Sequence, residues 1–341
     1  MEENDRVENM DVTQKARFSA LEKKVLEFLQ EGEGDFAGLM MEAHGFQRAN
    51  CAPYGALCDT LPTATNWREI PAMPLDAYRS TAIRTFPAEE TVRTFRTSGT
   101  TGEGYGEHHF RTLALYRAAV FGGWGLPLRG VLSLTASPVE APHSSLSCMA
   151  GYLTMPDKFF NGDWPKLRQA LKEEKKSVIL FGTALGFLSF FEWLGERALR
   201  LPAGSKAVET GGYKGTDRVL PKAELYQMFS ERLGLDAEQV WNEYGMTELS
   251  SQFYTKGIGE PHRGAEWVKG LVIDPETNAE VEDGGTGVLR IFDLANLGSC
   301  CVVQTRDLAI RRGEDFELIG RDPAALPRGC SRSADEMLRE G

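Results

Sequence analysis

The sequence predicts an α/β fold with a largely parallel sheet, followed by a smaller antiparallel β region near the C-terminus. Short apolar segments rich in β-branched residues alternate with helical patterns through the middle of the chain, which favours parallel strands joined by helices. Beyond Gly270 the pattern changes to apolar runs separated by tight turns, which is typical of antiparallel hairpins.

The N-terminal part is predicted to contain an amphipathic helix over residues 14–30. Phe18, Leu21, Val25 and Phe28 recur there at three- and four-residue steps with charges between them. Residues 52–74 are rich in Pro, Thr and Ala and are predicted to form an irregular wrapping segment.

The predicted elements then follow in order. Strands are expected at 131–134, 177–181, 207–210 and 239–242, with helices at 184–199 and 222–233. The antiparallel hairpins are expected at 287–292 and 308–319, the second with a turn at 313–315.

Composition and charge exclude several classes of protein. The 341 residues are 42% hydrophobic and 26% charged, as in folded globular proteins. The net charge of −11 argues against binding to nucleic acid or to anionic lipid. No apolar run reaches the ~18 residues of a membrane span, and the acidic N-terminus is unlike an export signal. We therefore expect a cytoplasmic protein without a membrane or nucleic-acid partner.

The six cysteines form no C-x-x-C pair, so structural zinc is not expected. Vicinal Cys300 and Cys301 are poorly placed to bond each other and are predicted to be small buried hydrophobes.

A glycine- and hydroxyl-rich segment is the first candidate ligand site. Its glycines let backbone N–H groups turn inward and its hydroxyls are donors, so it is suited to phosphate oxygens. It lacks the G-K-[ST] ending of a Walker loop, and a segment of this composition taken alone is more often a solvated turn. The segment comprises Thr97, Ser98, Gly99, Thr100, Thr101 and Gly102.

A second candidate segment, Asn242-Glu243-Tyr244-Gly245-Met246-Thr247-Glu248, begins where a predicted strand ends. Ligands collect at the carboxyl ends of parallel strands, so a hydroxyl and a carboxylate there suit a nucleotide and its metal ion. A turn with a helix-capping Thr is the alternative. Two shorter pieces follow, Thr305-Arg306-Asp307 and Gly320-Arg321.

The order and spacing of these four pieces, with about 145 residues between the first two, resemble the adenylate-forming superfamily of acyl-CoA synthetases, luciferases and peptide-synthetase adenylation domains. Further segments resemble the LuxE-type acyl-protein synthetases, so that the resemblance runs from about residue 95 to residue 331. They are Pro142-His143-Ser144-Ser145, Leu180-Phe181-Gly182-Thr183, Glu209-Thr210-Gly211-Gly212-Tyr213-Lys214-Gly215, Tyr244-Gly245-Met246-Thr247-Glu248-Leu249-Ser250-Ser251-Gln252-Phe253-Tyr254 and Arg328-Gly329-Cys330-Ser331.

The resemblance implies an adenylate-forming core of mixed and parallel sheets flanked by helices, with ATP and Mg²⁺ as cofactors. It implies that the segment from Thr97 to Gly102 holds the β- and γ-phosphates, that Thr247 contacts the α-phosphate and that Glu248 binds Mg²⁺.

By the same resemblance, Gly211 and Gly212 form the adenine slot with Tyr244, and Gly245 follows in the same motif. Asp307 would bind the ribose hydroxyls, with Arg321 beside the ribose. His143 matches a position beside the carboxylate pocket, although a capping or core histidine is equally open.

Two departures from the superfamily stand out. Glu103 lies where many members have a lysine, so Mg²⁺ becomes more necessary for neutralising the triphosphate. Only 341 − 321 = 20 residues follow Arg321, too few for the usual mobile lid and its lysine. Lys214 and Lys256 are candidate substitutes.

Cys330 lies nine residues after Arg321, in the short tail. LuxE-type enzymes pass the acyl group to a cysteine near the C-terminus, and the resemblance implies this role for Cys330. The flanking Arg328 and Arg332 favour the thiolate. The alternative is a free thiol without a function.

The sequence thus predicts ATP-dependent activation of a fatty or aryl acid to acyl-AMP, with transfer to a protein cysteine. The acceptor would be an acyl reductase or carrier protein. Alternatives are a coenzyme A or carrier-protein ligase of the phenylacetate-CoA ligase type, and a catalytically silent nucleotide-binding subunit of a reductase complex.

Four segments are predicted: 1–93 packed on the core, 94–265 as the α/β core, 266–321 as the antiparallel region and 322–341 as a flexible tail. An aromatic cluster is expected to be either acyl pocket or ordinary core. It comprises Phe159, Phe160, Phe181, Phe187, Phe190, Phe191 and Trp193.

Overall fold

The computed structural model describes residues 2–97, 105–211 and 220–321, with side chains from residue 12 onward and excluding that of residue 321. The N-terminal helix α1, Glu2–Glu31, contains the predicted helix and extends it toward the N-terminus. Its apolar positions Phe18, Leu21, Val25 and Phe28 are buried, as their spacing predicts.

The irregular segment predicted at 52–74 is wrong at its start, where a helix forms. Pro53 lies in the first turn of that helix, where its missing N–H costs nothing. The rest is a short helical turn at Trp67 and a two-residue strand. These elements are α2 (Phe36–Asn50), α3 (Ala52–Asp59), β1 (Met73–Pro74) and α4 (Ala77–Ser80).

The predicted parallel sheet is present, in the strand order β4-β5-β6-β7-β8. Strands β4 to β7 run parallel, and β8 pairs antiparallel with β7. The strands are β4 (Val131–Ser133), β5 (Ile179–Thr183), β6 (Lys206–Thr210), β7 (Val240–Tyr244) and β8 (Phe253–Lys256).

Helices cover both faces of this sheet, with α9 at its predicted bounds. Helix α8 is shorter than predicted, because Gly195 adopts a positive φ of 60° directly after it. Phe187 and Phe191 of α8 pack into the core against Phe229, as ordinary core residues do. The helices are α5 (Ala114–Trp124), α6 (Ser145–Leu153), α7 (Trp164–Glu173), α8 (Ala184–Leu194) and α9 (Lys222–Leu233).

A second sheet contains the predicted antiparallel hairpins in the order β1-β11-β10-β9, with β12 also paired to β11. Its strand β1 comes from the N-terminal part of the chain and runs parallel to β11. The four-segment division stays a prediction. The strands are β9 (Val268–Ile273), β10 (Thr286–Asp293), β11 (Val302–Arg312) and β12 (Asp315–Arg321).

A separate hairpin of β2 (Arg93–Arg96) and β3 (Glu107–Phe110) flanks the glycine-rich segment. Cys300 and Cys301 are 0% and 1% exposed, which confirms their predicted place in the core. None of the helices in the described ranges combines the length and apolar character needed to cross a membrane.

Candidate nucleotide site

Two neighbouring strands of the parallel sheet end at the candidate site. Strand β6 ends at Thr210, and the next residue, Gly211, has a positive φ of 71°, which glycine adopts without strain. Strand β7 ends at Tyr244, and the predicted motif continues from there to Glu248. The two motifs therefore lie side by side at the carboxyl edge, where parallel sheets bind ligands.

A hydrogen bond joins this edge to the second sheet. The Tyr244 hydroxyl donates to Oδ2 of Asp307 at 2.7 Å, although the two residues are 63 positions apart. Asp307 is 4% exposed and pairs in the β11–β12 ladder with Arg321. The ring of Tyr244 lies against those of Phe253 and Phe316, so its position is fixed by packing. Three predicted site residues are thus brought together.

The hairpin that flanks the glycine-rich segment contacts the Thr247 loop directly. Nδ1 of His108, in β3, lies 2.8 Å from the Thr247 carbonyl oxygen. At the end of β2, Thr97 is buried and its hydroxyl accepts the Gly106 N–H at 2.8 Å. A Cβ at Gly106 would lie 2.9 Å from that hydroxyl oxygen, so a larger residue there would displace the Thr97 side chain.

Sequence reasoning missed the side chains that hold the Thr247 loop from the second sheet. The buried Asp293 carboxylate accepts N–H groups of Ser250 and Ser251 at 2.9 and 2.8 Å. Asn296 donates to the Glu248 carbonyl oxygen at 2.8 Å. The sequence does show an Asp and an Asn after an apolar strand, but the residues around them do not indicate which groups they bind.

Two buried glutamates, Glu209 in β6 and Glu243 in β7, lie on the strands that end at the site. Burial raises the pKa of Glu209 to about 7, and the nearby Lys222 opposes the shift. Burial likewise raises the pKa of Glu243 to about 7, while the Thr210 hydroxyl donates to its carboxylate and opposes the shift. Asn242 donates to Glu209 at 2.8 Å and so ties β7 to β6.

The remaining predicted residues have different outcomes. His143 is exposed, and its Nδ1 lies 3.2 Å from the Thr94 carbonyl oxygen, beside β2. Lys256 is wrong as a substitute for the lid lysine, because it pairs with Trp241 near the opposite end of β7. Several predicted residues lie outside the described ranges: Ser98, Gly99, Thr100, Thr101, Gly102, Gly212, Lys214 and Cys330.

The residues present fit a nucleotide and its metal ion. The Asp307 carboxylate is an acceptor suited to ribose hydroxyls. Within residues 12–97, 105–211 and 220–320, no three His, Cys, Asp or Glu side chains cluster as a metal site. A single carboxylate such as Glu248, which is 5% exposed, suits Mg²⁺ that is held mainly by phosphate oxygens and water.

Comparison with known proteins supports this class. No known family profile matches the chain. It is 22% identical over 183 residues to the long-chain-fatty-acid–luciferin-component ligase of Aliivibrio fischeri, covering 50% of this chain and 48% of that protein. The Vibrio harveyi ligase of the same name is 22% identical over 179 residues, covering 49% and 47%. The chain thus spans about half the length of these curated relatives.

Among solved structures, 2-hydroxyisobutyryl-CoA ligase in complex with its adenylate matches with a TM-score of 0.59 at 13% identity, covering 87% of this chain and 67% of that one. The fold is that of the adenylate-forming ligases, as predicted. The predicted resemblance to LuxE-type acyl-protein synthetases is confirmed over half of the chain.

Proposed function

We propose that this chain uses ATP to activate a carboxylic acid as an acyl adenylate, releasing pyrophosphate, and that the acyl group then passes to a thiol. The single observation that carries the proposal is the Tyr244–Asp307 hydrogen bond at the carboxyl edge of an adenylate-forming fold. An aromatic ring and a carboxylate held together at this edge support binding of a base and a ribose, because open α/β sheets bind ligands at the carboxyl ends of their strands.

The residues of the chain act by binding and orienting the two reactants. Asp307 accepts the ribose hydroxyls, Thr247 contacts the α-phosphate and the segment beginning at Thr97 holds the outer phosphates. Mg²⁺, when bound through Glu248, neutralises phosphate charge. Bringing two anions together is costly in water, so positioning and compensating charge provide most of the acceleration. His143 is proposed to lie beside the acid.

We further propose that the acyl acceptor is the Cys330 thiol, which delivers the group to a partner protein such as an acyl reductase or carrier protein. The thiolate attacks the acyl carbon, the thioester bond forms and AMP leaves with the electrons of the broken C–O bond. The support is the sequence resemblance to ligases named for a long-chain fatty acid. A fold shared with a CoA ligase favours coenzyme A as the second candidate acceptor.

The adenylation step is tested by exchange of labelled pyrophosphate into ATP across fatty and aryl acids. Glu248→Gln is expected to abolish exchange, since a neutral amide is a poor Mg²⁺ ligand. Glu238→Gln, at an exposed position in the helical turn directly before β7, is the matched control and should retain exchange. Absence of exchange with every acid, with a candidate partner present, would favour a catalytically silent subunit.

The acceptor is tested with Cys330→Ser and mass spectrometry of the intact protein. Exchange should survive while the covalent acyl adduct disappears. Cys148→Ser, which changes a half-buried thiol in α6, is the control and should keep the adduct. An adduct that persists in Cys330→Ser would rule out this thiol, and thioester formation on added coenzyme A would favour the second acceptor.

A further inference from the structure

A fully buried histidine connects the two parts of the candidate site. His108 lies in β3, at the exit of the glycine-rich segment, and is 1% exposed. One ring nitrogen lies 2.8 Å from the Thr247 carbonyl oxygen and the other 2.8 Å from the Ser299 hydroxyl. These contacts span 139 and 191 positions of the chain. Of the three residues, only Thr247 belongs to a motif identified in the sequence.

The partners of His108 determine its tautomer. A carbonyl oxygen can only accept a hydrogen bond, so Nδ1 must carry the ring proton and donate a hydrogen bond to the Thr247 carbonyl. Nε2 then has a lone pair, which accepts a hydrogen bond from the Ser299 hydroxyl. Burial lowers the pKa of His108 to about 4, so the ring is neutral at physiological pH and keeps this arrangement. The side chain therefore acts as a fixed, uncharged donor.

Packing holds the ring where the donor is needed. The rings of Tyr78 and Phe110 lie against it, with centroids at 5.8 and 4.2 Å. A side chain whose rotamer is fixed by packing holds its hydrogen-bond donor in a defined position. His108 therefore fixes the Thr247 peptide relative to the β2–β3 hairpin.

We propose that His108 is a positioning residue for adenylation: its Nδ1–H fixes the Thr247 peptide and so holds the Thr247 hydroxyl in place for the α-phosphate. The inference rests on the proposed function. The contact of Thr247 with the α-phosphate strengthens as charge develops there, so displacement of Thr247 lowers kcat more than it weakens ATP binding, to which Asp307 contributes separately.

Two substitutions separate the two ring nitrogens. The amide nitrogen of Asn is bonded to Cγ, as Nδ1 is, so His108→Asn keeps the donor to Thr247 and loses the contact with Ser299. The longer Gln places its amide nitrogen where Nε2 lies, so His108→Gln keeps Ser299 and loses Thr247. Both variants leave an uncharged amide in the same buried place, which makes them a matched pair.

The test is the rate of pyrophosphate exchange as a function of ATP, with melting temperature measured in parallel. His108→Gln should lower kcat by about tenfold or more with KM for ATP changed by less than about threefold, and His108→Asn should recover most of the loss. His109→Gln is the control and should resemble the parent, because Nδ1 of His109 bonds Thr94 within the hairpin at 3.1 Å.

Equal activity of the Gln and Asn variants at equal melting temperatures would overturn the inference, as would a loss confined to KM. Should His108→Gln fail to fold, Ser299→Ala gives a second measurement. It removes the partner of Nε2 and leaves the Nδ1–H donor to Thr247 in place, so kcat within about threefold of the parent is expected, and a fall of about tenfold or more at an equal melting temperature would overturn the inference. No exchange by the parent protein would instead refute the proposed function.

Discussion

Asp293 offers the sharpest test of how the Thr247 loop is held. Its carboxylate is 0% exposed and accepts four hydrogen bonds. Oδ2 accepts the N–H groups of Ser250 and Ser251 at 2.9 and 2.8 Å. Oδ1 accepts the Ser251 hydroxyl at 2.7 Å and the Ala295 N–H at 3.0 Å. The side chain thus joins the end of β10 to the loop that follows Glu248.

Asp293→Asn replaces one acceptor oxygen by an NH₂ group without changing shape. Its best orientation keeps oxygen toward the two serine amides and places NH₂ at the Oδ1 position. The Ser251 hydroxyl can turn and accept there, but the Ala295 N–H then faces another donor in a buried place. One buried unsatisfied donor costs about 1–3 kcal/mol, and losing a charge-assisted acceptor adds to it, so we expect about 3 kcal/mol of destabilisation.

Urea unfolding followed by circular dichroism measures this loss, and pyrophosphate exchange measures the effect on the site, which should also fall. Asp274→Asn is the control. Oδ1 of Asp274 accepts two backbone N–H groups in an outer turn, at 2.8 and 3.3 Å, and the oxygen of Asn can keep both. The reasoning is refuted if Asp293→Asn unfolds with the free energy of the parent protein, within about 0.5 kcal/mol.

Three further predictions concern residues around the nucleotide edge. Tyr244→Phe removes the hydrogen-bond donor to Asp307. It should raise KM for ATP severalfold with little change in kcat, because the ribose contact is made equally in the ground and transition states. Exchange kinetics measure both constants, and a fall in kcat alone would contradict the prediction. Burial raises the pKa of Glu243 from 4.5 to about 7, so the stability present below pH 4.5 is lost as pH rises to about 7. Glu243→Gln should therefore reduce the fall in unfolding free energy across that range in urea titrations, and an unaltered pH dependence would count against burial of the charge. Gly245→Ala places a methyl carbon 2.5 Å from Oε1 of Glu243 and should lower stability by about 1–3 kcal/mol; a melting temperature equal to that of the parent would show that the two groups separate easily.

The sequence by itself determined the class of fold and predicted the edge of the sheet at which the candidate site lies. Strands β4 and β5 lie in short apolar runs, and helix α9 begins and ends where its periodicity predicts, because these signals are local. The placement of Thr247 after a strand likewise followed from local pattern, since parallel strands end at a common edge. The order and spacing of the four motifs added the prediction that the ligand is a nucleotide.

Only the tertiary structure decided how the site is held. The Thr247 carbonyl is bonded by His108, 139 positions away, and the Cys301 amide by Gln47, 254 positions away. A buried polar side chain forms hydrogen bonds with groups that the fold brings near it, and the sequence around that side chain does not identify those groups. For the same reason β1 joins the C-terminal sheet, and Lys256 lies at the opposite end of its strand from the site.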